Sequence, residues 1–231
     1  MLPATYDNDH PLAHRFRRFV ERSSFPCVGA KSALARDRMR FVVARDMTSA
    51  WDDLRIYPAL FEFAADYRAA PKLFQSLVVI FEGPAALPEA QFERHLWARA
   101  QSLSDKDGWH GQSHDSRVSA DAANPHFSLS FGGEAFFIVG LHPKASRPAR
   151  RFAAPAMVFN LHDQFEQLRN TGVFGKLQGA IAERDLALAG CANPMLETYG
   201  QGSEARQYSG RAVGDDWSCP FTRGAEGDLA A

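Results

Sequence analysis

Two adjacent glycines, Gly132-Gly133, separate the stretches FSLSF (127–131) and EAFFIVGL (134–141). Glycine tolerates the positive φ angles of a two-residue hairpin turn, and the alternation before it suits a strand. No other feature limits the fold so tightly, because so short a turn fixes the register. It pairs 131 with 134, 129 with 136 and 127 with 138. Side chains alternate along a strand, so Phe127, Leu129, Phe131, Phe136 and Ile138 share one face. Continuing by twos adds Gly140 and His142, and Pro143 ends the strand. The pattern thus predicts a histidine at the end of an aromatic, apolar face.

Around this hairpin the chain reads as a mixture of strands and helices. Residues 39–43 and the continuous apolar run 77–81 read as short strands, as does 156–160. Helices are predicted over 30–38, 54–67, 88–107, 160–169 and 174–188. Pro58 is expected to kink or delay the second of these. Pro88 and Glu89 suit the start of the third, and Gly108 its end. Asn160, or the residues just after it, is expected to cap the fourth, and Gly172 to end it. Phe174, Leu177, Ile181 and Leu188 form the inward side of the last. Residues 109–125 are loop-like. These elements predict one α+β domain, with a mixed or antiparallel sheet carrying the 127–141 hairpin and packed by several helices. Residues 1–24 read as a polar surface arm or short helix, 25–221 as the domain and 222–231 as a frayed tail.

Composition enters mainly through what it excludes. With 231 residues and a formal net charge of -1, the chain has core enough for one domain and no bulk charge that would draw it to nucleic acid or an anionic membrane. No apolar run approaches the roughly 20 residues of a membrane span. The N-terminal residues lack an apolar signal core, which predicts a cytoplasmic address. Cys27, Cys191 and Cys219 form no CxxC pair, so neither a zinc knuckle nor a disulfide framework is expected. Glycine-rich phosphate loops, a GxSxG elbow and an HExxH helix are all missing. His110 and His114 fall in the polar loop, where an HxxxH spacing has no helical meaning and solvation is expected. His126 sits in a Pro-His loop setting, and His95 flanks the buried side of the 88–107 helix.

Several segments go beyond pattern: FPCVGAKSAL (25–34), FSLSFGGEAFFIVGLHPKASRPARRF (127–152), VFNLHDQFEQLR (158–169), NPML (193–196), SEARQYSGR (203–211) and WSCPF (217–221). Their order and wording resemble the YqcI/YcgG family, and more closely its guanitoxin-pathway branch of haem-dependent N-hydroxylases. The resemblance spans about 25–221. It implies a b-type haem that activates dioxygen and oxidises a nitrogen of a guanidine or amine, such as an arginine-like amino acid, with electrons from an external donor. One departure is visible: Ser104 stands where a histidine is expected in many relatives. Two rival readings remain, a haem-binding sensor or carrier without turnover and a non-haem interaction protein of the same family.

Under that resemblance the residues divide by chemistry. His142 is the first candidate for axial iron ligand, with Phe136 among the aromatic residues flanking a porphyrin, and His162 is the alternative. Ser146, Arg147, Arg151 and, less centrally, Arg211 suit haem propionates, because guanidinium groups bind carboxylates through paired hydrogen bonds. His162 beside Glu166, together with Tyr208, forms the candidate catalytic set. Glu166 or Glu204 would accept a substrate guanidinium, and Tyr208 would hold an oxygen intermediate. Cys27 and Cys219 are the candidates for a thiolate ligand in place of histidine.

Overall fold

The computed structural model describes residues 1–195 and 200–222. The helices are α1 (Pro11–Glu21), α2 (Val28–Ala35), α3 (Asp53–Ala69), α4 (Glu89–Trp109), α5 (His162–Asn170), α6 (Phe174–Ala189) and α7 (Ala205–Tyr208). The strands are β1 (Met39–Asp46), β2 (Ser76–Gly83), β3 (Leu129–Phe131), β4 (Glu134–Leu141) and β5 (Ala156–Leu161). They form one sheet in the order β1-β2-β5-β4-β3. β1 and β2 are parallel, joined through α3, and every other pair is antiparallel. The architecture is a mixed α+β domain, as the alternation of elements predicts. No helix among the described residues is long and apolar enough to cross a membrane.

The hairpin turns at Gly132-Gly133 with φ of +58° and +79°, the doubly left-handed turn that only glycine enters without strain. Phe131 pairs with Glu134 and Leu129 with Phe136, in the expected register. The ladder stops there: Phe127 bridges to Ser119 instead of pairing with Ile138. The even positions of β4, Phe136 and Ile138, still join Phe127, Leu129 and Phe131 in one core under α3 and α4. At Gly140 the approach of α4 leaves no room, since a Cβ there would lie 2.6 Å from Leu96 Cδ1 and 2.8 Å from Phe92 Cε1.

The other sheet face packs against α1 and α2. Here Met39, Phe41, Val78, Ile80, Leu141 and Val158 meet Phe16, Phe19 and Val20. The 1–24 segment thus supplies a core-forming helix. Three further local expectations shift. α3 runs unbroken through Pro58, held by the buried Ile56, Tyr57, Leu60 and Phe63 around it. α4 continues past Gly108 to Trp109. Asn160 lies within β5 and does not cap α5; its side chain bonds Ser76 Oγ at 2.7 Å across the strand pair. Of the expected frayed tail, all but residue 222 lies outside the described residues.

Candidate functional site

Alternation along β4 sends its even side chains into the α3/α4 core, so its odd side chains face the other way. Phe137, Val139 and Leu141, with Val158 of β5 and Met39 of β1, form one wall of a cavity of about 310 Å³. That volume falls at the lower end of the range of ligand and cofactor sites. α1 and the turn before α2 contribute Phe16, Val20, Phe25 and Cys27, and α5 contributes Phe165, Leu168 and Arg169. α6 covers it with Phe174, Leu177, Gln178 and Ile181. Phe174, Leu177 and Ile181 belong to the apolar stripe legible in the sequence, but they face the cavity and are only half-buried. Asp185 is the one buried residue of α6. It pairs with Arg147, which also donates to the carbonyl oxygens of Cys191 and Ala192 at 3.2 Å.

Most polar groups on the cavity wall are already engaged. Gln164 spans the main chain of Gln75, accepting its N–H at 2.7 Å and donating to its carbonyl at 3.0 Å. Asn160 is held by Ser76. Arg169 pairs with Glu166 and lies over the Phe174 ring, 4.6 Å from its centroid. Glu204 differs. It is 6 % exposed, its Oε2 has no hydrogen-bond partner, and its Oε1 lies 3.9 Å from His162 Nε2. Burial pushes the Glu204 carboxyl up to about 8 and holds the His162 imidazole down to about 4. At pH 7 both side chains are therefore uncharged. A cation entering the cavity would reverse this for Glu204, favouring the carboxylate and expelling its proton.

Cys27 is the cavity's sulfur at a helix start. It caps α2, its Sγ accepting the Ala30 N–H at 3.4 Å, and burial holds its thiol above the usual range. Among the described residues no cluster of three or more His, Cys, Asp or Glu side chains forms a cage for a bare metal ion. An iron carried in a porphyrin needs only one or two protein donors. Among the described residues the cavity's donors are a single thiol and the Glu204 carboxyl, and its one guanidinium, Arg169, is paired with Glu166.

His142 sits where the alternation predicts, on the same side as Phe136 and Ile138, and is fully buried. Its ring stacks on Phe92 at 4.2 Å between centroids, and neither ring nitrogen has a hydrogen-bond partner. Burial holds its pKa below the ordinary value. This face is the one away from the cavity. Phe136 is core, in ring contact with Phe131 and Phe159. Ser146 bonds Glu89, Arg151 donates to the carbonyls of Ala145 and Ser146, and Arg211 pairs with Glu93. With Arg147 on Asp185, each of these side chains has an intramolecular partner. Tyr208 is wholly buried, its hydroxyl donating to the Phe136 carbonyl at 3.2 Å and lying 3.4 Å from Ser128 Oγ. Glu166 is spent on Arg169. Of the residues weighed from sequence, Glu204 and Cys27 line the cavity, and His162 stands directly behind Glu204. Sequence reasoning did not find the wall formed by α1 and α6, because nothing local marks an amphipathic helix as facing a cavity.

The family model described as the YqcI/YcgG family matches residues 16–222. No curated protein and no solved structure matches the chain.

Proposed function

The chain belongs to the YqcI/YcgG family, and on that premise we propose that it is a haem-dependent oxygenase that N-hydroxylates a guanidine- or amine-bearing small molecule, with haem b and substrate bound in the cavity beneath α6. The observation that carries this reading is Glu204. A buried carboxyl with an unpartnered oxygen, in a residue lining a largely apolar cavity, suits a cationic nitrogen group. Haem, when bound, supplies dioxygen activation and takes electrons from an external donor. The chain's own residues do the rest. Phe137, Phe165 and Phe174 exclude water. Glu204 orients the guanidine or amine and, on binding it as a cation, gives up its proton. His162, neutral at pH 7 and 3.9 Å from Glu204, is placed to take up a proton.

Haemin titration of the purified chain tests the cofactor half, with a saturable Soret band at about one haem per chain expected. Loaded protein is then given arginine-like amines, dioxygen and a reductant, and hydroxylated nitrogen is sought by mass spectrometry. Glu204→Gln should weaken amine binding while leaving haem bound. A wild-type chain that takes up no haem, or a loaded chain that perturbs no amine's spectrum and yields no hydroxylated product, would remove this reading.

A further inference from the structure

The cavity wall offers an incoming anion nothing to pair with. Among the described residues, Arg169 and Glu204 are its charged side chains. Arg169 is committed, paired with Glu166 and lying over the Phe174 ring. Glu204 is an acid. The neutral polar groups are mostly spent as well. Gln164 bonds the main chain of Gln75, and Asn160 bonds Ser76 Oγ and the carbonyls of Phe137 and Val158. At the start of α2, Cys27 Sγ occupies the Ala30 N–H. Gln178 and Gln207 add neutral amides, the first of them exposed.

Hydrocarbon makes up most of what remains. Three rings run from the sheet to α6: Phe137 meets Phe165 at 6.1 Å between centroids, and Phe165 meets Phe174 at 6.3 Å, both edge-on. Leu177 and Ile181 continue that lining along α6, yet Asp185 is the one residue that the helix buries. The apolar stripe of α6 therefore faces an apolar wall across unfilled space. An alkyl or aryl group placed there leaves water and covers both surfaces, which is favourable. A carboxylate placed there loses its hydration and gains no cation in return. A free amino acid brings such a carboxylate with it.

We infer that the substrate class of this cavity is a hydrophobic amine or guanidine, an alkyl or aryl body that bears the nitrogen group and no carboxylate, so that free amino acids are excluded. The inference rests on the substrate half of the reading above and narrows it from amines in general to apolar ones. Specificity then comes from the lining. The rings of Phe137, Phe165 and Phe174 and the α6 stripe hold the body, and the missing cation rejects the acid.

The test is calorimetric and needs no turnover. Octylamine, octanol, octanoate and arginine are titrated separately into the full chain at pH 7. Octylamine and octanol should bind, octanoate at least about tenfold more weakly than octanol, and arginine not measurably. Leu177→Trp and Ile181→Trp each place a larger side chain at a half-buried position of α6 that faces the cavity, and each should weaken octylamine and octanol several-fold. Using both positions, with circular dichroism melts alongside, guards against misfolding in either. Octanoate binding as tightly as octanol, or arginine binding where octanol does not, would overturn the inference and leave the amine reading standing. Octanol bound with octylamine rejected would overturn the amine reading and leave the exclusion of carboxylates standing. Affinities unchanged in both folded tryptophan variants would put the ligand outside this cavity and overturn the inference. Failure of all four probes to bind would overturn both.

Discussion

Replacing Glu204 by glutamine should change how stability depends on pH. In the folded chain this carboxyl is raised from 4.5 to about 8, because burial disfavours its charged form. Between those values the folded chain holds a proton that the unfolded chain has released. The stability associated with this group is therefore fully present below about pH 4.5 and is lost as pH rises toward 8. Each pH unit of that gap is worth about 1.4 kcal/mol, so keeping Glu204 in place costs the wild type about 3 kcal/mol at pH 7 and about 4 kcal/mol at pH 8. Glutamine has the same shape and does not titrate. The amide itself needs hydrogen bonds, which shifts the variant by a constant amount and leaves the slope as the readout. His162, held down to about 4, loses stability in the opposite direction as pH falls below 6.5, but it is present in both proteins and cancels in the comparison. Urea unfolding followed by tryptophan fluorescence, on the chain without added haem at intervals from pH 5 to 8, measures the difference. Glu204→Gln should gain on the wild type by about 3 kcal/mol across that range. A difference flat with pH would refute a neutral Glu204 and, with it, the argument that this carboxyl waits for a cation.

Other perturbations test the frame around the site. Asp53→Ala removes a fully buried carboxylate held by Arg99 at 2.9 Å, Ser102 at 2.6 Å and Lys106 at 3.1 Å. It strands the buried Arg99 cation and should cost about 3–5 kcal/mol in urea unfolding. Gly140→Ala forces a Cβ to within 2.9 Å of the Tyr208 carbonyl oxygen as well as against α4, and should lower stability by about 1–3 kcal/mol, read as a drop in Tm. His142→Leu exchanges a buried ring with two unpartnered nitrogens for an apolar side chain. Unfolding in urea should show it as stable as the wild type or more so, by about 1 kcal/mol.

The hairpin was legible because a two-residue turn and a period of two leave one register, and the placement of His142 on the face of Phe136 and Ile138 followed from the alternation along the strand. The cavity was not legible, because its walls are assembled from segments as far apart as Phe16 and Gln207. Local pattern reports that one face of a helix is apolar. Phe174, Leu177 and Ile181 give the same signal whether they meet a packed core or line a cavity. The same limit applies to charge: Arg147 reads as a free guanidinium after a strand, and its partner Asp185 lies 38 residues away. Tyr208 and Arg211 read as available polar groups from neighbouring residues, whereas tertiary packing had already assigned them to Phe136 and Glu93. Glu204 was visible only as one acid among several, since its isolation depends on what fails to surround it.

The position of β5 has a consequence for synthesis of the chain. Among the described residues it is the last strand in sequence and the central one in the sheet, bonded to β2 on one side and β4 on the other. As the chain leaves the ribosome, the β1–β2 pair and the β3–β4 hairpin emerge as separate half-sheets. Each presents an open edge until residues 156–161 arrive to occupy both. During translation the interval before β5 emerges is therefore the period of greatest exposure to edge-to-edge aggregation, and a chain truncated before Ala156 would leave the inner edges of β2 and β4 unpaired in addition to the outer edges of β1 and β3.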